Sequence, residues 1–198
     1  GEVYIPALGK TFQQIELRED DVYDTILLTA ATQANLIYTF WRDVQNKDLQ
    51  DCNLPNPSRI QSGDEVAIFR IGLHPREAVG NTLPIFDNYR KIIAAAHLEV
   101  IFNRRPITSG PVVKYPSGLG IGGFSDETAA TAVSIGVPSV AAAPTLFVPQ
   151  QLKDDDDVKS KLRFLPSDWI SGYTAPVLAQ TVRVTLFLHG VMKNPLGK

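Results

Sequence analysis

Apolar residues along this chain fall mostly at every second position, in short runs separated by polar or turn-forming residues. Successive side chains of a strand point to opposite faces, so each run predicts a strand with one buried face. The clearest is TVRVTLFLHG (181–190). Val182, Val184, Leu186 and Leu188 share one parity, and Thr181, Arg183, Thr185 and His189 share the other with Phe187. EVAIFRIGL (65–73) sets Ala67, Phe69, Ile71 and Leu73 against Val66 and Ile68, and is expected to stop at His74-Pro75. TILLTA (25–30) and NLIYTFW (35–41) are rich in β-branched and aromatic residues and read as strands. FQQIEL (12–17) reads as an edge strand, PVVKY (111–115) as a short strand, and KLRFLPSDW (161–169) as a strand followed by a turn.

The segments between are polar. REDDVYD (18–24) reads as a charged turn and LKDDDDVKSK (152–161) as a charged loop. Residues 42–64 form a long polar loop ending in the turn signal Gln61-Ser62-Gly63-Asp64. Tyr89, Ile92, Ile93 and Ala96 sit at helical spacing, so 87–102 reads as a helical turn or loop followed by the strand HLEVIF. Residues 104–123 are dense in turn formers, and ETAATAVSIG (127–136) fits either strand or short helix. Prolines at 138, 144 and 149 exclude a central strand at those points.

Eight or so short strands, not alternating with helices, predict an all-β protein: a two-sheet β-sandwich, and specifically a single jelly roll with long turn-rich loops. An extended N-terminal arm is expected over 1–10, the single domain over 11–193, and a short tail over 194–198. No internal repeat is visible.

Composition narrows the function classes. The 198 residues suffice for one domain with a sizeable core. Hydrophobic residues make up 44% and charged residues 20%, a folded composition. A formal net charge of −2 leaves no basic excess to neutralise phosphates, so no sequence-specific nucleic-acid binding is expected. Apolar runs such as TILLTAAT are far shorter than the ~20 residues a membrane-spanning helix needs. No signal peptide is visible, and Gly1 points to removal of an initiator Met or something longer. The single cysteine, Cys52, lies in a polar stretch without a nearby His and reads as an incidental thiol.

Candidate chemistry is sparse. Gly9-Lys10-Thr11 resembles the end of a phosphate-binding loop, but that loop requires another Gly where Tyr4 stands. Gly118-Leu119-Gly120-Ile121-Gly122-Gly123 follows a turn and opens no good helix, so it reads as a glycine-rich bend and not a dinucleotide site. Four adjacent carboxylates, Asp154–Asp157, lack the staggered spacing of a calcium loop and are flanked by lysines, so a solvated loop is expected. His74, His97 and His189 form no zinc or cupin pattern. No catalytic, cofactor-binding or metal-ligating residue is assigned, and a non-enzymatic role is expected.

Three stretches together resemble a known family. They are YTFWRDVQNKDLQDCNLPNPSRIQSGDEVAIFRIGL (38–73), FNRRPITSGPVVKYPSGLGIGG (102–123) and VRVTLFLHGVMKNPLG (182–197). The set resembles the jelly-roll major capsid (coat) proteins of tailless, often membrane-containing, bacterial viruses. The resemblance implies a structural subunit that self-assembles into capsomers and an icosahedral shell in the virion. It implies partners among other copies of itself and other capsid proteins, in some of these viruses a membrane beneath the shell, and assembly in the host cytoplasm. At this length the chain would be a single-barrel member. Phe187, apolar on the polar parity of its strand, and Trp41 and Trp169, bordering loops, are the candidate subunit contacts. The alternative is a β-sandwich receptor- or carbohydrate-binding module, in which Trp41 and Trp169 would stack on sugars.

Overall fold

The computed structural model describes residues 2–6, 9–13, 17–78, 86–116, 145–153, 156–166 and 175–193. Among them are β1 (Glu2–Ile5), β2 (Lys10–Gln13), β3 (Leu17–Leu28), β4 (Leu36–Phe40), β5 (Glu65–Glu77), helix α1 (Phe86–Ala95), β6 (His97–Phe102), β7 (Arg105–Pro111), β8 (Thr145–Lys153), β9 (Val158–Phe164) and β10 (Val182–Lys193). Two four-stranded antiparallel sheets, ordered β3-β10-β5-β8 and β4-β9-β6-β7, make a two-sheet sandwich. The pairing is nested: β3 with β10, β4 with β9, β5 with β8 and β6 with β7.

Alternation along the strands builds the core. Val182, Val184, Leu186 and Leu188 of β10 are fully buried, as are Leu98 and Val100 of β6 and Val158, Leu162 and Phe164 of β9. Each such side chain contributes ~1.5–3 kcal/mol on burial, so the inward parity of the two sheets dominates stability.

Three departures from strict alternation explain where the sequence pattern misleads. The first is a bulge in β5. His189 of β10 faces Arg70, but Gly190 faces Ile68, so Phe69 is skipped. One extra residue switches the parity of everything before it. Val66, Ile68, Ile71 and Leu73 therefore all enter the core, whereas Phe69, expected beside Ile71 and Leu73, does not. Gly190 is required here: a Cβ on it would lie 2.4 Å from the Ala67 carbonyl oxygen. With glycine in place, β10 runs past Gly190, the last residue of the expected run, to Lys193.

The second departure is Pro75, where β5 was expected to stop. Leu73 N–H donates to the Tyr115 carbonyl on the side away from β10. Pro75, two residues on, points its missing donor the same way, beyond Arg70, where pairing with β8 has ended. No ladder bond is lost, and β5 continues to Glu77. Pro149 is likewise accommodated because β8 is an edge strand, as the exclusion from central strands requires.

The third is REDDVYD, expected as a turn but lying inside β3, which pairs with β10 over twelve positions from Leu17↔Lys193 to Leu28↔Val182. β3 is an edge strand and tolerates charge. Asp21 faces outward toward His189, and the inward Asp24 is neutralised by Lys47.

Elsewhere the expected elements shift modestly. The 87–102 segment is helix α1 and then the strand HLEVIF. Asp87 holds Arg90 and Lys91 at 2.8 and 2.7 Å in the first turns of α1, and Tyr89, Ile92 and Ala96 are buried. The strand expected at PVVKY occurs earlier, at Arg105–Pro111, and Val112–Lys114 form a 3-10 turn instead. The N-terminal arm is not a single extended segment: β1 folds back on β2 with Val3 opposite Phe12, in a hairpin that joins neither four-stranded sheet. The segment 127–136, the glycine-rich 118–123 and the tail 194–198 lie outside the described residues.

Candidate functional site

The last strand offers one face to the core, and the other face defines the site. β10 lies between β3 and β5, so its outward residues form rows across three strands. Leu27, Arg183 and Arg76 make one row, Thr25, Thr185 and His74 the next, then Tyr23, Phe187 and Gly72, then Asp21, His189 and Arg70. Cross-strand neighbours on one face interact directly. Thr25 and Thr185 hydroxyls are 2.9 Å apart. Phe187 packs between Tyr23, at 5.9 Å between ring centroids, and His189, stacked on it at 5.8 Å. His189 Nδ1 lies 3.0 Å from Asp21, and its Nε2 is buried without a hydrogen-bond partner.

A loop covers one end of this face. Arg76 donates to Asp51 at 2.7 Å, to the Gln50 carbonyl at 2.9 Å and to Thr25 Oγ1 at 3.3 Å. Arg183 donates to the same Asp51 oxygen at 3.2 Å. The Tyr23 hydroxyl donates to the Leu49 carbonyl. Asn53 pairs along the free edge of β3: Tyr23 N–H donates to Asn53 Oδ1 at 3.0 Å, and Asn53 N–H donates to the Tyr23 carbonyl at 3.4 Å. Cys52 forms a β-bridge to Asp24 beside it. The loop root is fixed from inside the sandwich. Asp24, fully buried, accepts the Trp41 backbone N–H at 2.6 Å and Lys47 Nζ at 2.7 Å.

Burial sets the titration of this region. The Cys52 thiol is pushed up to about 12 by burial and by Asp24, so it is inert at neutral pH. Burial, and then Asp20, raises the Tyr23 hydroxyl. Burial, and then Arg76, lowers His74 below its ordinary value, so the uncharged imidazole is favoured where it stands. The face thus presents aromatic rings, one His–Asp pair and two arginines sharing a carboxylate.

The residues singled out from sequence fare differently. Phe187 lies on the outer face as expected, half-buried between its aromatic neighbours. Trp41 is not a contact. It is wholly buried in the core beside Phe40, because the chain turns inward there with a φ of 57°. Trp169, Asp154 and Asp155 lie outside the described residues. Asp156 and Asp157 serve the β8–β9 turn. Asp156 accepts Lys153 N–H at 2.8 Å, and Asp157 N–H donates to Asn103 Oδ1 at 2.9 Å. Among the described residues no group of His, Cys, Asp and Glu could hold a metal ion. Asp51, Asn53 and Lys47 were hidden in a loop whose composition marks it only as polar. The one available signal was Arg183 on the outward parity of β10, which requires an anionic partner when covered.

Comparison with protein-family models, with curated proteins and with solved structures returns no match.

Proposed function

We propose that this chain is a structural coat subunit of a tailless virus, self-assembling into capsomers of an icosahedral shell. The observation that carries the reading is the nested pairing of β3–β10, β4–β9, β5–β8 and β6–β7. Eight antiparallel strands rolled in this order are read here as a single jelly roll, an architecture shared by viral capsid, lectin and cupin domains. Within that set, exposed apolar side chains favour the capsid. Phe147 (102% exposed), Val148 and Val113 stand clear of the core on β8 and on the turn after β7. Apolar surface of this kind is what a subunit interface covers.

The partners in this reading are further copies of the chain and other coat proteins, with a membrane beneath the shell in the membrane-containing types, and the place of action is the virion. The test is negative-stain microscopy of purified protein, with Phe147→Ser as control. Wild type is expected to show discrete rings or shells. Phe147→Ser is expected to shift the population to smaller species, with stability within about 0.5 kcal/mol because the ring touches no core. Smaller species in neither preparation, or shells unaffected by the substitution, would remove β8 from the interface.

A further inference from the structure

β5 skips Phe69 opposite β10, and its other partner departs further at the same place. Ile68 pairs with Gln150 but Arg70 with Thr145, so residues 146–149 leave the ladder as an excursion of β8. The Gln150 side-chain amide donates to the Val148 carbonyl at 2.8 Å and holds the excursion in shape. β8 ends one sheet and β7 ends the other. Between these two edges lies a pocket of about 360 Å³. Ile71 and Tyr115, both buried, line its inner side. Ile107 and Leu146, half-buried, and the exposed Phe147 and Val148 supply its walls.

One charge stands in this apolar lining. Lys114 Nζ donates to Thr108 Oγ1 at 3.3 Å and lies 5.4 Å from the centre of the Tyr115 ring. No acidic side chain lines the pocket, so the ammonium meets no carboxylate there. The polar groups are set in place by their neighbours. The Thr108 and Tyr115 hydroxyls are 3.0 Å apart, and the Tyr115 carbonyl accepts Leu73 N–H at 2.9 Å. Gly110 of β7 leaves room for the lysine stem, since a Cβ on it would stand 3.1 Å from Lys114 Cδ.

Small-molecule sites are mostly apolar cavities of roughly 300 to 1,000 Å³ with a few placed polar groups. The apolar walls here select an alkyl chain, and the single ammonium selects a negative head group. The volume lies at the low end of the range, which fits one short chain and not a two-chain lipid. We propose that this pocket binds a free, short-chain amphipathic carboxylate. Its alkyl chain lies against Ile107, Leu146, Phe147 and Val148, and its carboxylate meets the Lys114 ammonium. The site is built from one chain alone and does not depend on the coat reading.

The experiment is calorimetric titration with decanoate, kept below its micellar concentration, at about pH 7.5, where a carboxylate is ionised. Wild type is expected to bind saturably, a single molecule per chain. Decyltrimethylammonium, with the same chain and the opposite charge, is expected to bind severalfold more weakly. Lys114→Gln and Phe147→Ser, both at exposed positions, are expected to weaken decanoate severalfold with an unchanged near-UV circular dichroism spectrum. Ile37→Thr alters an exposed apolar residue on β4, at the far edge of the other sheet, and is expected to bind as wild type does. No saturable binding, equal affinity for the two amphiphiles, or wild-type affinity in Lys114→Gln or Phe147→Ser would overturn the site. Equal weakening in Ile37→Thr would reduce it to adsorption on apolar surface and overturn it too. Anionic phospholipid vesicles that bind while free decanoate does not would assign the face to a membrane instead. Light scattering of the same samples follows self-association separately, so decanoate binding by a strictly monomeric protein supports this site while removing the coat reading.

Discussion

Single residues decide which surfaces exist. Asp24 is a fully buried carboxylate in β3 that binds Lys47 and caps the Trp41 backbone, anchoring the 42–64 loop to the sheet. Removing one partner of a buried pair strands the other, so Asp24→Ala should cost about 3–5 kcal/mol, read as a lower urea midpoint. Ser160 makes the opposite case. Its hydroxyl is buried in β9 without a hydrogen-bond partner, so Ser160→Ala should leave the midpoint unchanged or raise it. Gly190→Ala should lower it by about 1–3 kcal/mol, because the added methyl meets the Ala67 carbonyl oxygen at 2.4 Å. At this scale the sequence was legible where parity decides. Phe187 was correctly placed on the outer face of β10. Trp41 was not, because a single left-handed residue after β4 turns its ring into the core, and no periodicity records that.

At the scale of elements, several strands were readable in advance: β6 and most of β5 and β10 from alternation, and β4 from its β-branched and aromatic residues. What failed did so for local reasons. A bulge at Phe69 reversed half of β5, and a proline without a ladder partner failed to end it. The charges of β3 signalled a turn, but an edge strand carries them, with Asp21 paired outward to His189 and the inward Asp24 held by Lys47. The Asp51–Arg76–Arg183 clamp joins a loop to two strands far apart in sequence, and no local pattern announces it. The same face makes stability pH-dependent. His74 is held below its ordinary value of 6.5, so the unfolded chain binds its proton more readily than the folded one. Its contribution is complete above about 6.5 and is lost as pH falls from there toward the lowered folded value. Thermal midpoints measured through this range should fall with acid in wild type and fall less in His74→Gln. An equal fall in both would assign the effect to other groups.

The whole molecule is a sandwich whose strands are rolled in nested pairs, with a β1–β2 hairpin that joins neither sheet. The all-β, two-sheet class followed from short alternating strands and abundant turn residues. The pairing order did not, because nothing within a strand names its neighbour. Isolated two-stranded hairpins are marginal in water, so this one adds little to the fold that carries it. Deleting residues 1–13 should leave the thermal midpoint of the sandwich nearly unchanged while weakening association between copies. A large loss of midpoint would instead make the hairpin part of the domain.

The coat-subunit reading stands or falls on self-association, and native mass by light scattering over a range of protein concentrations measures it most directly. The expected result is trimers, hexamers or larger shells whose mass is a multiple of the 21.7 kDa chain. A protein that stays monomeric at the highest concentration would contradict the reading and return the nested sandwich to the carbohydrate-binding alternative.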